Sequence, residues 1–118
     1  MSDPDNQLRL TGRLVEIAAP RMTPAGVPAR NCKLHHQSRQ IEAGHPREVE
    51  CEIEAVALGQ VAHLIAQAGL GTQLRLTGFL ARKSLRSARL VMHITQMEFV
   101  EGNRDGIQTE QDGQQAQG

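Results

Sequence analysis

The chain has no tryptophan and no tyrosine, and only two phenylalanines among 118 residues. Proteins that hold single strands without sequence choice usually stack bases on aromatic rings, so any such binding here must lean on something else. Cysteine is as sparse. Cys32 and Cys51 are the two thiols, with no zinc-type spacing to each other or to His35, His36, His45, His63 and His93. Each falls at an alternating apolar position, so each is expected to be a small core residue rather than a ligand or half of a disulfide. No apolar run approaches membrane length, and the N-terminus has no basic-then-apolar signal pattern. Nucleophile–base pairs, phosphate-binding glycine loops and dinucleotide fingerprints are missing as well. A cytoplasmic, non-enzymatic protein without metal or other cofactor is the expectation.

What is present argues for one domain, since about a hundred residues can bury a core without staples. The chain is formally neutral, but its charge is uneven. Between Asn6 and Glu101 there are 12 basic and 8 acidic residues, leaving +4, while Asp3, Asp5, Asp105, Glu110 and Asp112 at the ends, set against Arg104, restore neutrality.

The most informative stretch runs from Leu74 to Phe99. Leu74, Leu76, Gly78 and Leu80 alternate with Arg75, Thr77 and Phe79; further on, Leu90, Met92 and Ile94 alternate with Val91, His93 and Thr95. Period-2 patterning of this kind marks paired strands. Between them lie Arg82, Lys83, Arg86 and Arg89, with no acidic residue from Arg75 to Met97. A cationic loop without local counter-charge, held at the end of a hairpin, is suited to gripping an anion.

The remaining elements follow in order. Leu8 to Ile17 alternates as a strand, and Gly12 within it suggests a bulge or bend. Its LRLTG recurs unchanged at Leu74–Gly78, as expected of two barrel strands that must both coil tightly around leucines. Ala18–Pro28, with three prolines, is a loop. Ala29–Gln40 is a strand with Cys32, Leu34 and His36 on one face, and Ile41–Pro46 turns the chain. In Arg47–Ala57, Val49, Cys51, Ile53 and Ala55 oppose Glu48, Glu50, Glu52 and Glu54, the pattern of a strand with one buried and one wet face. Leu58–Ala68 is the helical candidate, with Val61, Leu64, Ile65 and Ala68 at helical spacing and Gly69 and Gly71 beyond it. Met1–Asn6 is expected to be a flexible N-terminus, 7–101 the domain, and 102–118 a disordered polar tail. Three strands, a short helix and two strands is the order of an all-β, five-stranded OB-fold, a Greek-key barrel with one helix between strands 3 and 4.

The segments LRLTGRLVEI, PRMTPAGVPARNCKLHHQS, EAGHPREVEC and LRLTGFLARKSLRSARLVMHITQMEFV resemble the primosomal replication protein N (PriB) family, related to single-stranded DNA-binding protein. The most specific pieces are Thr23-Pro24-Ala25-Gly26-Val27-Pro28, the turn Glu42–Gly44, and Met92-His93. The resemblance implies a homodimer of OB-folds that binds single-stranded DNA without sequence choice. It also implies a role in replication restart with the PriA helicase, with DnaT and single-stranded DNA-binding protein as further partners, and no catalytic residues. By the same resemblance Arg82 or Lys83, Arg86 and Arg89 of the last hairpin contact DNA, and Arg47 and Arg21 match further basic positions; Arg13, a basic residue of the first strand, joins them as a candidate. Where well-studied members carry stacking aromatics this chain has His45, which can still stack, and Glu50, which repels phosphate. The expected chemistry is therefore charge-driven and salt-sensitive. The alternative is a dimeric adaptor that mainly docks helicase or single-stranded DNA-binding protein and touches DNA weakly; the acidic strand favours it.

Overall fold

In the computed structural model, which describes residues 3–100, the alternating segments become β1 (Leu8–Ile17), β2 (Arg21–Met22), β3 (Pro28–Glu42), β4 (His45–Leu58), β5 (Gln73–Ser84) and β6 (Ser87–Phe99), with helix α1 (Gln60–Ala68). The five long strands run β1-β5-β6-β4-β3, and β3 returns to β1 to close the barrel. All these neighbours are antiparallel except β4 and β6, which pair in parallel over Ala55–Ala57. This is the OB-fold. The proline-rich stretch is more ordered than a plain loop. Arg21 and Met22 pair with Ala29 and Pro28, and the Thr23 backbone and hydroxyl tie off the turn at Val27. Pro28 opens its strand, where a missing N–H costs no ladder bond. With this extra short strand counted, the helix stands between β4 and β5, that is, between the third and fourth long strands.

The two LRLTG copies are not merely similar; they are partners. Leu8 faces Gly78, Leu10 faces Leu76 and Gly12 faces Leu74 across an antiparallel ladder. From Arg13, which still faces Gln73 of β5, β1 also takes β3 as a partner, with Arg13 and Leu14 opposite His35 and Leu34. At Gly78 the β5–β6 register slips, so that Thr77 opposes Gln96 and Gly78 opposes Ile94. Each glycine thus sits where a strand must bend to close the cylinder.

Leu14, Leu34, Leu74, Leu76 and Met92 fill the interior, and Ile65 of α1 plugs it from one end, all six fully buried. Helix α1 packs on β3, β4 and β6; its C-terminus is closed by the Thr72 hydroxyl donating to the Ala68 carbonyl at 2.6 Å. Cys32 belongs to this core.

The β3–β4 ribbon is longer than the barrel. β1 pairs with β3 only between Cys32 and His35, whereas β3 and β4 stay paired out to Glu42 and His45. Its outer half is a two-stranded arm closed by Ala43 and Gly44, both at positive φ (52° and 82°), as a two-residue hairpin turn requires. This overhang corrects two expectations. Cys51 is exposed rather than buried, because its inward side looks past the end of the core. Leu90, placed on the inner face by alternation, is 58% exposed, since it pairs with Arg82 on the overhanging part of the β5–β6 hairpin.

The different settings of the thiols have a chemical consequence. Burial pushes Cys32 up to about 11, so at pH 8 it is both covered and almost wholly protonated, and the thiolate is the reactive form. Iodoacetamide at that pH is expected to label Cys51 alone in the native protein and both thiols in denaturant, read by peptide mass spectrometry.

Among the described residues, no helix is long and apolar enough to cross a membrane. The expected tail at 102–118 lies outside the described residues, as do the first two positions of the N-terminus. Asn6 is bonded to Leu80 of β5 by two hydrogen bonds, side-chain amide to carbonyl at 2.9 Å and backbone N–H to side-chain oxygen at 3.0 Å.

Candidate nucleic-acid interface

Directly opposed residues on neighbouring strands share a face of the sheet. On the outer face of β3 and β4 the ladder reads Asn31–Val56, Lys33–Glu54, His35–Glu52, Gln37–Glu50 and Arg39–Glu48. The glutamate row is therefore matched by a polar and basic row on β3. The Arg39 guanidinium donates to Glu48 at 2.6 Å, and Nε2 of His35 lies 2.7 Å from Oε2 of Glu50. A sequence window along β4 shows four carboxylates in line; the neutralising row stands on another strand.

At the barrel end of this face a cleft of about 550 Å³ opens between the β1–β3 connection and the β5–β6 hairpin. Arg21 contributes from the connection, Lys33 and Glu54 from the floor, and Lys83 and Arg89 from the hairpin, with Glu16 at the rim. Arg21 is held in place by donating from Nε to Oδ1 of Asn31 at 2.9 Å. Lys33 is 3.7 Å from Glu16. Four cations against two carboxylates leave the cleft positive. In OB-folds the groove between these two connections, over the second and third barrel strands, is where oligonucleotides and oligosaccharides lie.

The hairpin departs from expectation in one respect. Its cations do have a counter-charge, and it comes from another strand. Nζ of Lys83 is 3.2 Å from Oε1 of Glu54, and the Arg89 guanidinium contacts Oε2 of the same carboxylate. The acid-free stretch from Arg75 to Met97 concealed this because β4 reaches the hairpin only through the parallel pairing with β6. One carboxylate cannot neutralise two cations, so the pair keeps a net positive charge. Arg82 and Arg86 are exposed and make no ion pair among the described residues. The basic residues are also less of a loop than expected. Strand structure continues to Ser84 and resumes at Ser87, so only Leu85 and Arg86 form the turn.

The other expected contacts are scattered. Arg13 is exposed on β1 at the position facing His35. His45 and Arg47 sit at the tip of the β3–β4 arm, about 30 Å beyond Ala55 at the rise of an extended strand; Arg47 pairs with Glu42 at 2.8 Å. Of the eight residues named from sequence, Arg21, Lys83 and Arg89 line the cleft, and Arg82 and Arg86 share the hairpin that walls it.

Two contributors went unrecognised in the sequence. Lys33 lies on the cleft floor; it alternates outward from Cys32 and Leu34, which was the available signal. The second is a stacked ring pair. Phe79 and His93 face each other across β5 and β6 with centroids 5.0 Å apart and planes 5° from parallel. His93 is also paired with Val56, and Val56 with Asn31, so the stack belongs to the same outer face as the cleft. Phe79 is 39% exposed, so the stack is partly open to solvent.

Closed barrel, short helix and a cationic cleft on the outer face define an OB-fold of the single-strand-binding type. A family model described as "another single-strand binding protein family" matches residues 6–96. The replication restart protein PriB of Bordetella pertussis is 45% identical over 98 residues, spanning 83% of this chain and 92% of its own. That of Nitrosomonas europaea is 39% identical over 95 residues, 80% of this chain and 88% of its own. A solved structure of PriB from Ralstonia solanacearum superposes with a TM-score of 0.77 at 42% identity, covering 81% of this chain and 98% of that one. The chain belongs to this single-strand-binding family, on the branch of the replication restart protein PriB.

Proposed function

We propose that this protein binds single-stranded DNA without sequence preference, as a non-enzymatic, cytoplasmic accessory factor of replication restart acting with the PriA helicase. The observation that carries the binding reading is the cleft itself: Arg21, Lys33, Lys83 and Arg89 converge on it from three separate parts of the chain. Arg and Lys that neutralise phosphates release condensed counterions, so affinity comes mainly from charge. The exposed Phe79–His93 stack adds one platform for a base on the same face. Membership of the PriB branch supports the replication-restart role and the partnership with PriA, DnaT and single-stranded DNA-binding protein. It supports a homodimer as well, which presents two clefts to one strand and gains from effective concentration.

The test is a salt titration with labelled oligo-dT read by anisotropy. Log affinity is expected to fall linearly with log salt, by about 0.7 per phosphate contact. Affinity independent of salt would overturn the reading. The adaptor alternative draws on a specific observation, that Glu54 already occupies two of the hairpin cations. A pull-down with PriA helicase in the absence of DNA, set beside the DNA titration, separates the two: strong capture with no measurable DNA binding favours the adaptor.

A further inference from the structure

Glu54 is out of place for a residue on the floor of a cleft meant for polyanions. Its side chain is only 27% exposed, and each of its two oxygens is assigned a different hairpin cation, Lys83 on Oε1 and Arg89 on Oε2. A phosphate diester presents its two free oxygens in much the same way. From this geometry we infer that Glu54 is an internal stand-in for a backbone phosphate, holding the β5–β6 hairpin over the cleft until an incoming strand displaces it. The inference rests on the DNA-binding reading above and deepens it.

The physics favours exchange rather than permanent closure. The cations of both pairs face solvent, Lys83 at 42% and Arg89 at 64% exposure, and ion pairs so placed are weak and screened by salt, so a phosphate can replace the carboxylate at these cations. Glu54 then loses its partners beside a second negative charge, which opposes binding. A short or sparsely charged anion gains little from that exchange. A strand engages Arg21, Lys33, Arg82 and Arg86 at the same time and offsets the loss. Glu54 thus sets a fixed cost that a continuous strand offsets through its other contacts and a single phosphate does not.

The test is Glu54→Gln, which keeps the shape and removes the charge, made in the full chain and again in a Lys83→Gln/Arg89→Gln background. A thermal midpoint within a few degrees of the parent establishes that the variant is folded. With labelled oligo-dT at low salt, Glu54→Gln is expected to bind about fivefold to tenfold more tightly, from two released ion pairs and one deleted repulsion. The gain is expected to shrink to about twofold or less when both cations are absent, since residues that act together are not additive. Without DNA, the freed hairpin is expected to be nicked faster by trypsin after Lys83 and Arg89. An equal gain in both backgrounds would show simple repulsion and overturn the inference. Unchanged or weaker binding by Glu54→Gln, with the parent still binding in a salt-dependent manner, would also overturn it while leaving DNA binding intact. If the parent binds no oligo-dT at any salt, the functional reading falls and takes this inference with it.

Discussion

Gly78→Ala is expected to destabilise the fold by roughly 3 kcal/mol or more, the range of a backbone-level steric clash. A Cβ at this position would lie far inside van der Waals contact distance of the His93 carbonyl oxygen, 2.8 Å from its carbon and 3.2 Å from Cα of Ile94. The obstacles are backbone atoms on the neighbouring strand, and no rotamer change removes them. Relief requires β5 and β6 to separate at the point where their register slips from Thr77–Gln96 to Gly78–Ile94. A domain of this size has only about 5–15 kcal/mol of stability, so the loss is a large fraction of the total. A fall in thermal midpoint of about 12–24 °C is the expected readout, at about 4–8 °C per kcal/mol. Gly12→Ala is the comparison. There a Cβ would sit 3.1 Å from the His35 carbonyl oxygen and 3.3 Å from Cβ of Leu34. Such a contact yields to shifts of a few tenths of an ångström, at roughly 1 kcal/mol. If the two variants melt alike, the asymmetry between the paired LRLTG segments is wrong.

Neutralising the hairpin, by Lys83→Gln, Arg86→Gln and Arg89→Gln together, is expected to weaken binding of single-stranded DNA by about a hundredfold at 0.1 M salt, with the log–log salt slope falling by about 2, as three lost phosphate contacts imply. The loss should be nearly the same for oligo-dT, oligo-dA and mixed sequence, because phosphate contacts carry no base information. Arg75→Gln is the control. Its guanidinium pairs with Glu98 at 3.0 Å away from the cleft, and its removal should change affinity by less than about twofold. Anisotropy titrations across a salt series measure both quantities. An unchanged slope in the triple variant would remove the hairpin from the interface and leave Arg21 and Lys33 as the cleft's working cations.

The contrast between the two thiols shows how far local pattern reaches. Cys32 and Cys51 occupy equivalent steps of two alternating strands, and alternation assigns both to the interior. One is in the core and the other is exposed, because alternation tells which side a residue faces and not whether anything lies on that side. Leu90 fails for the same reason. In the glutamate row alternation marks the wet side for Glu48, Glu50 and Glu52, while Glu54 is partly covered and paired by the hairpin, and the basic partners on β3 lie outside any window along β4.

Element identity, order and inward residues were legible in the chain because side-chain direction in a strand repeats every two residues and in a helix every 3.6. That local rule gave five long strands, a helix with Ile65 inward, and hence the barrel; the family resemblance agreed. Contacts such as Glu54 with Lys83 and Arg89, Gly78 against His93, or Phe79 on His93 obey no local rule. They depend on strand register, on the parallel crossing of β4 and β6, and on how far the ribbons overrun the barrel. Those are relations between distant segments, and they exist only once the sheet has closed.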